Sequence, residues 1–398
     1  MKIRMPGRVA RLAATVPLIM AALGATAVSP SAAAAPATLY VSYLGSDSNA
    51  CTQAAPCATI SHAVSIANAG DTIQVAHGTY HEDVTLTQSL NLIGMGNPII
   101  NASQLTNGVV VSGAGAAHSL VQGFTVENAT FEGILVENTT NVTIKGNTVK
   151  NNDQGMFLPP AQQTGECMAV GEIPGDCGEG LHLMSVQNSQ ILNNLVTGNS
   201  GGILVSDELG VTAHNLIAGN RSLNNVFDCG ITIVAHLPMA AGGGVFDNTV
   251  LGNVANGDGV QGEGGGILLA SGAPGGGVYN NRILFNTAVG NGLAGITIHN
   301  HAIPGPPSDT NGNVIVGNTV RNDALDGCGT GSPGDCEFGD THTTGILVGA
   351  DSTPITGTVI AGNNIGNVYY GIFTQNVPVT IPVGANHFSN VTVPVFQH

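Results

Sequence analysis

The run Asn194-Leu195-Val196-Thr197-Gly198-Asn199-Ser200-Gly201-Gly202-Ile203-Leu204-Val205-Ser206, continuing to Asn215-Leu216-Ile217, decides the fold. Two marks alternate in it: an Asn with Ile or Val two residues later, and a Gly that opens a short apolar strand. The first mark returns at Asn147, Asn194, Asn215, Asn248, Asn281, Asn318 and Asn363. The second returns as Gly133-Ile134-Leu135-Val136, Gly180-Leu181-His182-Leu183, Gly230-Ile231-Thr232-Ile233, Gly266-Ile267-Leu268-Leu269, Gly295-Ile296-Thr297-Ile298, Gly345-Ile346-Leu347-Val348 and Gly371-Ile372-Phe373. Taken as the shortest turn, Asn194 to Asn215 is 21 residues. That length holds three short strands and three bends but no strand–helix–strand unit, which needs about 30 residues. So small a unit cannot bury its apolar side alone, and copies must stack as parallel coils. Asn suits the bends because it tolerates left-handed backbone, and its amide can bond to the Asn above and below in a ladder.

Composition agrees. The chain has 57 Gly, no Trp, 4% aromatic and 9% charged residues, against about 25% charged in an ordinary globular protein. Tight bends around a thin core of Ile, Val and Leu give such a mix. A solenoid grows along one axis, so 398 residues are read as one domain.

Lys2, Arg4, Arg8 and Arg11 precede an apolar run from Leu12 to Val28 that Pro17 interrupts, followed by Ser31-Ala32-Ala33-Ala34-Ala35. This is the pattern of a cleaved secretory signal, and no later segment is long and apolar enough to span a membrane. A secreted, extracellular and monomeric product is expected. Cys51 with Cys57, Cys167 with Cys177 and Cys328 with Cys336 form sequence-local pairs suited to disulfides in an exported protein; Cys229 is left over as a buried thiol. Loss of the leader removes four basic residues and no acid, leaving five Lys and Arg against 25 Asp and Glu, a net charge of −20. Nucleic acid is excluded as a partner by that charge, and a polyanionic glycan would need a bridging cation.

Residues 1–35 are thus the signal, 36–106 an N-terminal cap with the first coils, 107–377 the repeats with loop insertions, and 378–398 a terminal cap in which Pro378, Pro382 and Pro394 discourage further strand addition. Ile60, Ala63, Val64 and Ala67 follow helical spacing and predict a short helix over the open end of the core.

The segment from Ala58-Thr59-Ile60 through Gly70-Asp71-Thr72-Ile73-Gln74-Val75 and Gly78-Thr79-Tyr80-His81-Glu82 to Leu90-Asn91-Leu92-Ile93-Gly94 resembles the start of the pectate-lyase-like superfamily. The Asn-x-Ile/Val coils resemble NosD-like parallel β-helix repeats. The resemblance implies an all-β, single-domain, right-handed parallel β-helix with a short N-terminal capping helix, and a carbohydrate-active role. It carries over no catalytic residue. The polygalacturonase Asn-Thr-Asp is missing, since Asn248-Thr249 and Asn318-Thr319 are followed by Val. The Asp-Pro-His of mannuronan epimerases and the Arg-x-Pro-x-x-Arg of one lyase group are also absent.

Insertions between the two marks are unequal: 33 residues from Asn147 to Gly180 and 27 from Asn318 to Gly345, against eight from Asn194 to Gly202. They place loops beside the Gly-opened strands, which makes that face the candidate groove. Residues at equal offset from each Gly should stack about 4.8 Å apart. Offset six then pairs Glu208 with His236, and His301 with Asp351, as candidate acid and base. His182, Thr232, Thr297 and His299 project from the same strands as candidate substrate contacts. Lys150, Arg221 and Arg321, close behind ladder Asn residues, are candidates for the cation that stabilises an enolate in lyase chemistry. Calcium could be held by Asp207 and Asp228, or by the loop of Asp258 and Glu263.

The expected function is binding, with lyase or glycoside hydrolase cleavage left open, of an extracellular polysaccharide along the Gly-strand face. The alternatives are a non-catalytic surface scaffold, and an exported metal-handling protein using His236, His299 and His301.

Overall fold

The computed structural model describes residues 35–157, 178–261, 264–300, 305–325, 342–350, 353–377 and 385–397. From Pro36 onward the chain is one compact unit, a parallel β-helix whose coils each contribute strands to three files. The first file is an 11-stranded sheet running from Thr38–Val41 to Val359–Ala361. The second includes Thr148–Lys150, Leu195–Thr197, Arg221–Leu223, Val254–Asn256, Thr287–Val289 and Thr319–Arg321. The third is the Gly-opened file, including Ile134–Thr140, Glu179–Gln187, Gly201–Ser206, Ile231–Ala235, Ile267–Ser271, Ile296–Asn300 and Thr344–Ala350. Pairing between these coils is parallel and in register, and the crossovers wind in the right-handed sense.

The core is a set of files of like side chains. Ile134, Leu181, Ile203, Ile231, Ile267, Ile296 and Ile346 follow one another at 0% exposure, each worth roughly 1.5–3 kcal/mol of apolar burial. At the open N-terminal end the helix Ile60–Ile66 buries Ile60 and Ala63 and is capped by Thr59, whose hydroxyl accepts from His62 N. The Glu82 carboxylate receives the helix N–H groups of Ile60 at 2.9 Å and Ser61 at 2.8 Å. Cys51 and Cys57 are bonded, and Cys229 is a buried free thiol; the other two expected disulfides and the leader lie outside the described residues.

The Asn marks resolve into separate ladders. Asn147, Asn194, Asn220, Asn253, Asn286, Asn318, Asn363 and Asn386 pass amide hydrogen bonds from coil to coil at 3.0–3.1 Å between the first and second files. Asn215, Asn248, Asn281 and Asn313 form another ladder ahead of the first file. The expected turn from Asn194 to Asn215 therefore joins two ladders, and the true turn, Asn194 to Asn220, spans 26 residues. Asn194 and Asn215 each precede a fully buried residue by two, Val196 and Ile217, so in sequence the two corners look alike.

A third ladder explains the Gly marks. Asn152, Asn199, Asn225, Asp258, Asn291 and Asp323 follow the second file. Their side chains lie against glycines that open the third file. A Cβ on Gly180 would stand 2.5 Å from the Asn199 amide nitrogen, and one on Gly133 2.6 Å from that of Asn152. Gly is there because the ladder occupies the space of a side chain.

The C-terminus departs from expectation. His387–Gln397 adds to Asn364–Gln375 in parallel register, and Asn386 continues the ladder. Pro394 does not prevent this, because on the last strand of a sheet a missing donor faces no further strand.

Candidate functional site

The third file differs from the other two in what covers its outer surface. Strands of the first two files alternate partly exposed with buried positions, as in Leu195–Thr197 and Val314–Val316. By contrast Gly201–Ser206, Ile231–Ala235 and Ile296–Asn300 are buried at every position. His182, Thr232, Thr297 and His299 do point outward from the core, yet they are 2–6% exposed, so they do not line an open trough. Apolar Leu204, Val234 and Ala270 form a small core of their own on this outer surface. The four candidate substrate contacts consequently lie beneath the surface.

The exposed chemistry is at the downstream edge of this file. Glu208 follows the strand Gly201–Ser206 and His236 follows Ile231–Ala235, in adjacent coils. The winding brings them together: His236 Nδ1 hydrogen-bonds Glu208 Oε1, with the two side chains 36% and 30% exposed. Asp207 sets this contact. Its carboxylate accepts the backbone N–H groups of His236 at 2.6 Å, Leu237 at 3.0 Å and Gly244 at 2.6 Å, which moors the turn carrying His236.

Behind the pair a chain of polar groups runs inward. Ser206 donates its hydroxyl to Glu208 Oε2, its oxygen lies 2.7 Å from His182 Nε2, and His182 Nδ1 lies 2.8 Å from Glu132 Oε1. Burial pushes the Glu208 carboxyl up, but the His236 hydrogen bond, the charges of His182 and His236 and the Ser206 hydroxyl overcome this and hold it at about 2. An ionised Glu208 only accepts, so Ser206 must donate to it and in turn accept the N–H of His182 Nε2. The order carboxylate, imidazole, hydroxyl is that of a nucleophilic triad. Ser206 is fully buried and its proton is committed to Glu208, so this chain transmits charge outward and does not attack.

Aromatic residues, scarce in this protein, form one group at the C-terminal coils, around Tyr369, Tyr370, Phe373 and Phe396, and a second on the strands that follow the turns after the third file. Phe246 and Tyr279 stack with ring centroids 4.8 Å apart, and His214 meets Phe246 edge-on at 5.9 Å. They sit on Val245–Phe246 and Val278–Tyr279, a short file that continues from the turns after the third.

Other candidates are placed elsewhere. His301, Asp351 and Glu263 lie outside the described residues. Lys150, Arg221 and Arg321 all belong to the second file, not to the loops beside the third. Lys150 pairs with Glu127 at 3.2 Å, Arg221 opens its strand directly after Asn220, and Arg321 donates to Asn364 Oδ1 at 2.9 Å. Counting from a single class of Asn misplaces them. Of the expected calcium ligands, the three that are described each have hydrogen-bond donors of their own. Asp207 is engaged by three N–H groups, Asp228 accepts from Cys229 N at 2.6 Å, and Asp258 is a ladder rung accepting from Asn225 at 2.9 and 3.0 Å. Burial raises the pKa of all three, that of Asp258 to about 7. Of the three His residues named for metal handling, His301 is not described, and His299 aligns with Ala270, one coil beyond Val234, which puts it two coils, about 9–10 Å, from the coil of His236.

The cluster missed by sequence reading is Glu132, Glu179 and His182, whose ligand-type atoms lie within 4.8 Å of one another, all buried. Glu132 and Glu179 each stand immediately before a strand-opening Gly. Applying the offset rule one residue upstream of the Gly would have stacked them.

The chain matches a family model described as periplasmic copper-binding protein (NosD) over residues 59–266. A solved pectate lyase, Pel9A, superposes with a TM-score of 0.54 at 16% identity, covering 89% of this chain and 78% of that one. The A-module of the Azotobacter vinelandii mannuronan C-5 epimerase AlgE4 gives 0.53 at 14% identity, covering 89% of this chain and 96% of that one. At such identities the likeness is one of fold. No curated protein matches the chain.

Proposed function

Because the chain belongs to the NosD family and shares its fold with a pectate lyase and a mannuronan epimerase, we propose that it is an exported protein that binds a polysaccharide across the downstream edge of the Gly-opened file. There Glu208 and His236 act on it as an acid–base pair. The contact between these two partly exposed side chains is the observation that carries the reading. His is the side chain whose proton moves near neutral pH, and Glu208, ionised across that range, orients the ring and stabilises its protonated form. The Phe246, Tyr279 and His214 cluster offers the apolar surface on which sugar rings pack. The acidic charge fits a neutral glycan, or an acidic one joined through calcium. Export is supported by the leader sequence, and no helix among the described residues is long and apolar enough to cross a membrane.

The test is to present the leader-free protein with neutral and uronate polysaccharides, with and without calcium, and to follow retention, new reducing ends and unsaturated uronates. His236→Ala and Glu208→Gln should remove product while retention persists, and Phe246→Ala should weaken retention. Absence of retention on every glycan would favour the scaffold reading and end this one.

A further inference from the structure

We propose that Glu132, Glu179 and His182 form a binding site for one divalent transition-metal ion, built into the third file upstream of the exposed pair. The proposal does not depend on the polysaccharide reading. Its first support is geometric. Register between the strands Ile134–Thr140 and Glu179–Gln187 puts the two Glu residues on consecutive coils, and His182 leaves the second of these coils three residues on from Glu179. One oxygen from each carboxylate and one imidazole nitrogen lie within 4.8 Å of each other. Three atoms so spaced share a common point no more than about 2.8 Å from each, and side-chain movements of under about 1 Å would bring them to the 2.0–2.2 Å of metal bonds.

Electrostatics supply a second, independent support. Two carboxylates stacked on neighbouring coils and 3% exposed repel each other in a region where charge is poorly solvated. The leader-free chain has only five Lys and Arg, and none is on this file. Lys145 and Arg282 belong to the first, Lys150, Arg221 and Arg321 to the second. The imidazoles of His182 and His236, each set against a glutamate, are the basic groups on this face, and with no Lys or Arg on the file a divalent ion is a charge that suits two stacked acids.

A third support lies behind the imidazole. A metal-bound His characteristically donates its other ring N–H to an orienting acceptor. Here Nε2 is 2.7 Å from Ser206, which is bound in turn to Glu208, leaving Nδ1 directed at the two acids. The ion would take the place of the proton between Nδ1 and Glu132. Two carboxylates with one imidazole suit Zn2+, Mn2+ or Cu2+, while Ca2+ wants more oxygens.

The experiment uses untagged leader-free protein stripped with EDTA and offered Zn2+ both in the folded state and during refolding, because the site is closed. Calorimetry should give one Zn2+ per chain, and Co2+ should develop visible absorption. Glu179→Gln and Glu132→Gln, close in shape to the native side chains, should each weaken Zn2+ binding at least tenfold and abolish the Co2+ spectrum. Ser206→Ala should weaken it about ten- to a hundredfold through the His182 ring. Cys229→Ser should leave it unchanged, and excess Ca2+ should not compete. Lack of stoichiometric Zn2+ uptake by the native protein by either route overturns the proposal. Undiminished uptake by either Gln variant does the same, and if one variant fails to fold the other decides. None of these readouts involves a glycan, so failure of the polysaccharide assays leaves this result standing, and the converse holds.

Discussion

Asp258 occupies a rung of the third ladder that an amide would fill, and its replacement by Asn has a pH-dependent consequence. From the neighbouring rung Asn225, Nδ2 donates to Asp258 Oδ1 at 3.0 Å, and Asp258 N donates to Asn291 Oδ1 at 3.0 Å. An Asn at 258 would also give its amide hydrogen to Asn291 Oδ1, as the Asn rungs do to their own neighbours. Asp258 instead presents Oδ2, which is buried without a hydrogen-bond partner. Only a protonated carboxyl can donate there. Burial, assisted by the nearby charge of Asp228 and only partly offset by the Asn225 and Ser222 hydrogen bonds, raises this group from 3.8 to about 7.

The sign follows from the direction of that shift. Well below pH 3.8 Asp258 is protonated whether the chain is folded or unfolded and contributes no pH dependence. Between the two pKa values the unfolded chain releases the proton and the folded chain keeps it, so stability falls as pH rises and levels off above pH 7. At 1.36 kcal/mol per unit over about three units, the loss reaches about 4 kcal/mol as an upper figure. Asp258→Asn should remove this slope. It should match the native protein within about 1 kcal/mol at pH 4 and exceed it by about 2–4 kcal/mol at pH 8. Urea unfolding from pH 4 to 8.5, monitored by circular dichroism and by hydrogen exchange of the rung amides, reads the difference; exchange keeps the test valid if coils open separately. Parallel curves for the two proteins across that range would refute an acid rung held by its proton.

Two further outcomes follow from named contacts. Asn220→Ala removes the acceptor of Asn194 N and Nδ2 and the donor to Ile191 O and Asn253 Oδ1; with several buried polar groups orphaned at about 1–3 kcal/mol each, unfolding measurements should show a loss of about 3 kcal/mol or more, greater than for an exposed Asn such as Asn390. Asp207→Ala releases the N–H groups of His236, Leu237 and Gly244, so hydrogen exchange should rise across 236–244 and activity on a glycan should fall as it does in His236→Ala, while the circular dichroism of the coil stack is kept.

The fold is legible because a solenoid writes the same local rule many times. The recurring pair of an Asn and a strand-opening Gly is enough to imply stacked coils, and the structure supplies the cause, since the Asn199 amide fills the place of a Gly180 side chain. The bend that delivers this amide follows the strand Leu195–Thr197 and turns through Gly198 in left-handed backbone, at a φ of 67°. What misleads is degeneracy. Asn194 and Asn215 have the same kind of neighbours in sequence but stand at different corners, and only the hydrogen bonds to Asn220 and Asn248 distinguish them.

The site is legible only where equal offsets are counted in the right file. Glu208 and His236 stand at the same distance from Gly202 and Gly230, and the winding joins them. The burial of His182, Thr232, Thr297 and His299 has no periodic signature, because alternation says which side chains leave the core but not whether further chain lies over them. A hint is present in the outward Leu204, Val234, Ala270 and Leu347, too apolar together for a wetted surface. With those side chains buried, chemistry on a bound chain falls to the exposed places beside them. Asp207 fixes one such place by anchoring the turn that carries His236, and the Glu132, Glu179 and His182 cluster lies within, joined to it through Ser206. The buried acid group and the exposed imidazole thus stand on one polar chain, from Glu132 through His182, Ser206 and Glu208 to His236.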